Sequence, residues 1–227
     1  MSNWTTRPIC AFDLETTGRD PLSARIVTAC VITVDDDGPR PRNWIVDPGV
    51  DIPADASAVH GISTAHAREH GQNYTAGYRE IREALTDAWA AGHAVVAFNA
   101  AYDLTVMDAE GRRLGFPPLD DYGLVVDPYV IDREVDRERR GKRTLGALCE
   151  HYGIDLGFAH QAEADALAAS ELARLLPQRF PQLADLDMMA SQTTWHAERQ
   201  RDFLEYLRRE GRDTSDVDGR WPIRTAA

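Results

Sequence analysis

An acidic pair inside an apolar strand is the feature that most constrains this chain. Residues 9–18 read ICAFDLETTG, and apolar side chains surround Asp13 and Glu15 as in a central strand. Burying two carboxylates without partners would cost several kcal/mol, so either they lie at an exposed strand end or a positive charge lies between them. Since residues i and i+2 of a strand share one face, both carboxylates converge beyond the carboxyl end of the strand. Open α/β sheets usually bind ligands there.

Size, charge and cysteine content limit the classes of protein that fit. With 227 residues, the chain is long enough for one full domain and an appendage. Its net charge of −12 argues against a broad, non-specific grip on nucleic acid, although an enzyme can touch a few phosphates through metal ions. The three widely spaced cysteines predict buried free thiols and a reducing, cytoplasmic setting. We expect neither a signal peptide nor a membrane span.

Periodicity and turn residues predict an α/β protein with a mixed sheet and helices on both faces. Strands are expected at 8–14, 25–34, 42–46, 93–98 and 122–127. Helices are expected at 77–91, from Asn99 as a cap to Leu114, after a Thr144 cap, and at 162–176. The Pro-, Gly- and Asp-rich segment 46–63 is expected to be a loop. We predict a domain over 1–181, followed by a helical extension and irregular tail over 182–227.

Two further acids and a histidine are expected near the end of the first strand. Asp103 lies one turn into the helix after the VVAFN strand, where it could equally be an acid stabilised by the helix dipole. His160 and Asp165 flank the start of the 162–176 helix, and their spacing places His160 on the preceding loop. Each residue alone has an ordinary structural explanation. Their combination with Asp13 and Glu15 is much harder to dismiss.

Three segments together resemble a known family. FDLETTG, FNAAYDLTVM and HQAEAD resemble, in order and spacing, the three motifs of the DnaQ-like 3′→5′ exonucleases, the histidine-containing subgroup of the DEDD superfamily. The resemblance extends over about residues 8–176 and includes IPADASAVHGIS. It implies a ribonuclease H-like fold, with a five-stranded mixed sheet flanked by helices. It also implies two divalent metal ions, Mg²⁺ or Mn²⁺, with His160 as general base and, as metal ligands, Asp13, Glu15, Asp103 and Asp165.

Several other positions are expected to lie beside the substrate. The resemblance implies that Thr16, Thr17, His60 and Ile62 border the 3′-terminal nucleotide, whereas turn formation and loop packing are the structural alternatives. Asn99 is expected to act as a helix cap with a secondary place near the site. The run DREVDRERRGKR at 132–143 fits a solvated segment of mixed charge or a basic lip that meets backbone phosphates.

The resemblance implies an enzyme that releases nucleoside 5′-monophosphates from nucleic-acid 3′ ends. We expect single-stranded DNA to be favoured over RNA and no membrane to be involved. The alternatives are a catalytically silent binding or scaffold module and a proofreading subunit that depends on a polymerase partner. Five intact site residues argue against the silent module. A polymerase partner and a homodimer both stay open at this point.

Overall fold

A computed structural model of the chain describes residues 3–35, 38–157 and 161–224. Its centre is one five-stranded sheet in the order β3-β2-β1-β4-β5. Strand β1 pairs antiparallel with β2 and parallel with β4, and β2 and β4 extend the sheet to β3 and β5. The strands are β1 (Ile9–Thr16), β2 (Ile26–Asp35), β3 (Gly38–Ile45), β4 (Ala94–Val96) and β5 (Val125–Val126). The predicted hairpins and the mixed five-stranded sheet are confirmed.

Helices cover both faces of the sheet, also as predicted. They are α1 (Ala54–His60), α2 (Thr64–His70), α3 (Tyr74–Ala90), α4 (Ala100–Arg113), α5 (Pro128–Val135), α6 (Leu145–Tyr152), α7 (Ala162–Arg179) and α8 (Met188–Arg209). Side chains of α3 and α4 pack with Phe12 and Leu14 on one face. Helix α7 packs against Ala11 on the other face. The two faces follow from the alternation of side chains along β1.

Helices α1 and α2 are the main departure from the sequence prediction. The segment expected to be a loop contains α1, and α2 follows it directly. Helix α1 buries no residue and α2 buries only Ala67, so neither has an apolar stripe that periodicity can detect. The stability of short helices of this kind depends on the capping of their ends. Ser63 accepts a hydrogen bond from the backbone N–H of His66 and caps α2.

The C-terminal segment completes the edge of the sheet at β5. Gln192 of α8 is fully buried. Its Oε1 accepts a hydrogen bond from the Asp127 backbone N–H at 2.6 Å, and its Nε2 donates to the Val125 carbonyl at 2.9 Å. Trp221 is buried in the main core cluster. Gln192 therefore satisfies backbone groups that an additional strand would otherwise pair. The boundary at residue 181 stays a prediction about folding units.

Two composition-based expectations can be compared with the structure. Cys10, Cys30 and Cys149 are buried free thiols, as predicted. Burial raises the pKa of the Cys10 thiol to about 12. Among the described residues, no helix is both long enough and apolar enough to cross a membrane.

Candidate active site

The end of β1 presents Asp13 and Glu15 on the sheet face that α7 covers. Residues Ile9–Phe12 and Leu14 of this strand are buried, whereas both acids are half-buried. Asp13 and Glu15 follow Ala11 at two-residue intervals, and Ala11 packs against α7. The pleat therefore directs both carboxylates to one face, as their spacing predicted, and this face is the one that the start of α7 covers.

Helix α7 brings a third carboxylate to the same point. Ala162 and Ala166 pack against Ala11, and their small side chains allow the helix to approach the sheet closely. Asp165 lies in the first turn of α7. Carboxylate oxygens of Asp13, Glu15 and Asp165 all lie within 4.8 Å of one another. The structure thus brings together three of the four acids that the sequence singled out.

Asp103 lies beside this group of three. It occupies the first turn of α4 and is 3% exposed. Its Oδ1 accepts a hydrogen bond from the backbone N–H of Leu14 at 3.1 Å, which holds the carboxylate against β1 at the residue that separates the two strand acids in sequence. We refer to Asp13, Glu15, Asp103 and Asp165 as the acid cluster.

Burial and mutual repulsion both disfavour ionisation of the acid cluster. The pKa of Asp13 is raised well above its usual value by burial and then by the charges of Asp103, Glu15 and Asp165. Burial and then the charge of Asp165 raise the pKa of Glu15 to about 7. Burial also raises the pKa of Asp103. In the described part of the chain, no Lys or Arg forms an ion pair with Asp13, Glu15 or Asp103. The cluster therefore has the electrostatics of a cation site.

His160, the expected general base, lies outside the described residues. Its role stays a prediction based on the HQAEAD motif. The residues that follow it begin α7, with Gln161 at the N-cap.

Thr16 and Thr17 form the turn directly beyond the strand acids. The Thr16 hydroxyl donates to the Gly18 carbonyl at 3.0 Å and also contacts the Tyr102 hydroxyl. The Thr17 backbone N–H donates to the Arg25 carbonyl at 2.9 Å, and its hydroxyl accepts from the Arg25 N–H at 2.9 Å. Both hydroxyls thus hold the β1–β2 turn. Sequence reasoning missed Tyr102, whose only sequence signal is its place next to Asp103.

Two cavities meet at Glu15 and His60. One, of about 440 Å³, includes Thr16, Thr17 and Tyr102 among its lining residues. The other, of about 320 Å³, includes Ile62 and Trp44. His60 Nδ1 accepts a hydrogen bond from the Ile62 backbone N–H at 3.1 Å, and burial lowers the pKa of His60. The structure therefore places four predicted substrate-binding residues around these cavities, namely Thr16, Thr17, His60 and Ile62.

Asn99 begins α4, but its side chain does not cap the helix as predicted. The residue adopts the left-handed conformation, with φ 63°, and its side chain makes no capping hydrogen bond. The carboxylate of Asp127 instead accepts from the backbone N–H groups of Asn99 and Ala100, each at 2.9 Å. Asp127 follows β5, the neighbour of the strand that leads to Asn99, so a capping residue distant in sequence replaces the local one.

The charged run at 132–143 includes an internal ion cluster. Asp132 is fully buried and lies 2.7 Å from Arg139 and 2.5 Å from Arg143. The Tyr152 hydroxyl donates to it at 2.8 Å. The side chains of Arg139 and Arg143 are only 13% and 10% exposed. These two arginines are therefore not part of a solvated segment or a free basic lip.

Comparisons with known proteins agree with this geometry. Over 110 residues the chain is 32% identical to the PolC-type DNA polymerase III of Staphylococcus aureus. The matched segment covers 48% of this chain and 8% of that protein. E. coli exonuclease I in complex with a dT13 oligonucleotide superposes with a TM-score of 0.68 at 22% identity, covering 79% of this chain and 43% of that one. Exonuclease I from Methylocaldum szegediense gives a TM-score of 0.66 at 24% identity, covering 89% and 45%.

The chain thus spans less than a tenth of the PolC-type relative and less than half of either exonuclease I chain. The structural similarity confirms the ribonuclease H-like fold. The model of the exonuclease family RNase_T matches residues 10–173, which include the acids of all three motifs. The chain therefore belongs to the RNase_T exonuclease family, and the resemblance to DnaQ-like exonucleases is confirmed.

Proposed function

We propose that this chain is a metal-dependent 3′→5′ exonuclease that releases nucleoside 5′-monophosphates from single-stranded DNA. The observation that carries the proposal is the convergence of Asp13, Glu15 and Asp165 within 4.8 Å, in a member of an exonuclease family. The complex of E. coli exonuclease I with dT13 supports DNA as the substrate class.

The donor set fits hard divalent cations. Asp13, Glu15 and Asp165 offer carboxylate oxygens, which suit Mg²⁺ and Mn²⁺. Asp103 lies beside them and repels Asp13 electrostatically, so a cation would relieve that repulsion. We propose that these four acids hold two divalent ions, Mg²⁺ or Mn²⁺. When bound, such ions supply Lewis-acid activation of water and neutralise charge on the phosphodiester.

The residues of the chain have separate tasks in this proposal. The cavity bounded by Glu15, His60 and Tyr102 accepts the 3′-terminal nucleotide, and its volume of about 440 Å³ lies within the usual range for small-molecule sites. Thr16 and Thr17 border this nucleotide with a turn that internal hydrogen bonds already fix. Asn99, the N-cap residue of α4, has a secondary place beside the site. His160 removes the proton of the attacking water, which the matching motif supports. Neutral imidazole suits this task near pH 7.

Digestion of matched substrates tests the proposal. Single-stranded DNA, duplex DNA and RNA, each labelled at the 5′ end, are incubated with Mg²⁺ or Mn²⁺. We expect a ladder of shortened products from single-stranded DNA first, and none after chelation with EDTA. A covalently closed single-stranded circle is the control, because it has no 3′ end. Cleavage of the circle at an equal rate, or full activity after exhaustive chelation, would contradict the proposal.

Replacement of His160 tests the base. His160→Ala should slow the chemical step by roughly 10²–10⁴-fold, the usual contribution of a positioned general base. The rise of activity with pH through the His160 pKa should also disappear, because only the neutral imidazole accepts a proton. Binding of Mg²⁺ or Mn²⁺, followed by calorimetry, should persist. A variant with the wild-type rate and pH profile would remove His160 from the mechanism.

A second candidate is proofreading beside a polymerase. The 32% identity to the PolC-type polymerase III of Staphylococcus aureus favours it. Under this candidate, a mismatched 3′ end should be removed faster when the partner polymerase is present.

We also propose a cytoplasmic location, which the three buried thiols support.

A further inference from the structure

A groove lies between α5, α8 and the C-terminal segment, and no member of the acid cluster lines it. It has a volume of about 460 Å³. A smaller cavity of about 110 Å³ shares the side chains of Arg133 and Arg199 and includes Trp195. We call the larger space the arginine groove and define it by Tyr129, Arg133, Arg199, Phe203 and Arg224.

The floor of the arginine groove is cationic. Arg133 and Arg224 are half-buried, and the Nε atom of each is buried without a hydrogen-bond partner in the described part of the chain. The Arg133 guanidinium lies over the Tyr129 ring, 5.0 Å from its centroid. The acids that line the groove, Asp202 and Asp216, are exposed at its rim. An anion that enters the groove therefore meets the arginines at its base.

Electrostatics within the groove point in the same direction. Partial burial, and next the charge of Arg133, lower the pKa of Arg199. Two guanidinium groups that repel each other gain free energy when an anion lies between them. Since Arg199 forms no ion pair within the described residues, its charge is available to such an anion.

An exposed aromatic pair adjoins these charges. Phe203 lines the groove and is 47% exposed, and Tyr206, one turn further along α8, is 40% exposed. Their rings are stacked at 6.4 Å with an interplanar angle of 18°. Arginines next to an exposed aromatic ring are the combination that binds single-stranded nucleic acid through phosphates and bases. An acidic peptide would use the arginines but would have no need of the ring.

The groove lies beside the helix that carries Asp103. The Arg224 backbone N–H donates to the Thr105 hydroxyl at 2.9 Å, two residues beyond Asp103. The Tyr129 ring packs edge-on against Phe98, with centroids 5.5 Å apart, and Phe98 immediately precedes the N-cap residue of α4. The groove and the acid cluster are therefore linked through the N-terminal half of one helix.

We propose that the arginine groove binds the upstream part of the single strand whose 3′ end occupies the acid cluster. Arg133, Arg199 and Arg224 contact backbone phosphates, and Phe203 stacks on a base. This inference rests on the proposed exonuclease function.

Binding measured in EDTA tests the groove without any chemistry. Fluorescence anisotropy of a 5′-labelled long oligothymidylate is recorded over a range of salt concentrations for the intact chain and its variants. Arg199→Gln should weaken binding and reduce the salt slope by about 0.7, the value for one phosphate contact on a single strand. Phe203→Ala should weaken binding on the order of 5- to 100-fold with the salt slope unchanged.

Arg201→Gln is the matched control, because Arg201 is exposed on α8 but does not line the groove. It should bind the oligothymidylate like the wild type. Arg199 and Phe203 are also exposed, so neither substitution should prevent folding. The groove assignment is wrong if Arg199→Gln and Phe203→Ala both match the control. If Phe203→Ala binds with unchanged affinity and a poly-aspartate peptide displaces the oligothymidylate, the groove binds an acidic peptide and not a polynucleotide.

Hydrolysis of a small ester separates this inference from the proposed function. With Mn²⁺, the p-nitrophenyl ester of thymidine 5′-monophosphate offers a scissile bond to the acid cluster but has no upstream nucleotides to occupy the groove. Both variants should hydrolyse this ester at the wild-type rate, while KM for the long strand rises and kcat is unchanged. A wild-type chain that hydrolyses neither substrate would overturn the proposed function, whereas the binding series would still decide the groove.

Discussion

The acid cluster and the ion cluster around Asp132 are two groups of low-exposure carboxylates with opposite surroundings. Asp132 has no exposed surface and is neutralised by Arg139 and Arg143, with a further hydrogen bond from Tyr152. In the acid cluster, carboxylates face other carboxylates, and burial and repulsion raise the pKa of Asp13 and of Glu15. One cluster carries its own cations and the other requires cations from outside.

This difference separates a structural role from a functional one. A buried carboxylate matched by arginines is satisfied in the folded chain, so removing it exposes unpaired positive charge. A group of repelling carboxylates at a strand end costs stability, and chains keep such groups where they bind or react. Both clusters contain aspartates of low exposure, and the groups that surround those aspartates in space distinguish the clusters.

The largest effect should come from neutralising the acid cluster. We expect Asp13→Asn to lower kcat/KM on single-stranded DNA by on the order of 10³-fold or more, because it removes several kcal/mol of cation-derived stabilisation. Without metal, the free energy of unfolding should stay level or rise, since repulsion is relieved. Asp55→Asn is the control, because Asp55 lines the cavity beside Glu15 but is not a member of the acid cluster. A large loss of folded protein for Asp13→Asn but not for Asp55→Asn would make Asp13 structural.

The ion cluster should respond in the opposite way. Asp132→Asn leaves two arginines without their buried partner, so we expect the free energy of unfolding to fall by about 3–5 kcal/mol. The activity of the remaining folded molecules should change little. Denaturant unfolding followed by circular dichroism measures the loss, with Asp136→Asn as a milder control because Asp136 is 27% exposed. If Asp132→Asn were neutral in stability but inactive, the comparison between the clusters would be reversed.

Metal binding should stabilise one cluster and leave the other unchanged. At about 100 times the dissociation constant, Mg²⁺ or Mn²⁺ should raise the free energy of unfolding of the wild type by about 2.7 kcal/mol. The increase should vanish in Asp13→Asn and persist in Asp132→Asn. Thermal melts with and without the cation measure it. An equal shift in all three proteins would locate the cation elsewhere.

The smallest effect concerns whether His60 acts as a resident cation beside the acid cluster. Burial lowers the pKa of His60 below 6.5, so the folded state binds its proton less readily than the unfolded state. This contribution to stability is present above pH 6.5 and is lost as the pH falls below it. His60→Gln should flatten that part of the stability profile in urea titrations. If the contribution of His60 to the free energy of unfolding instead grows as the pH falls, His60 is paired with Glu15 as a cation.

Local signals in the sequence predicted much of the fold and the convergence of the strand acids with Asp165. Alternation along β1 correctly predicted that Asp13 and Glu15 share a face, and the three motifs identified the elements that deliver Asp103 and Asp165. The same signals failed for α1, which has no buried residue, and for the Asn99 cap, which Asp127 provides from 28 positions away. Neither a helix without buried residues nor a cap supplied by a distant residue produces a periodic pattern in the sequence.

The sequence by itself determined a mixed α/β sheet, because strand alternation and helix starts are local properties, and the resemblance of its three motifs implied the ribonuclease H-like fold and the four acids. Tertiary structure alone decided which charges are matched. Arg139 and Arg143 reach Asp132 from 7 and 11 positions away, and Gln192 satisfies the β5 edge from 67 positions away. The free energy of a charge or an edge amide depends on the groups around it in space. Those groups are brought together only when the chain has folded.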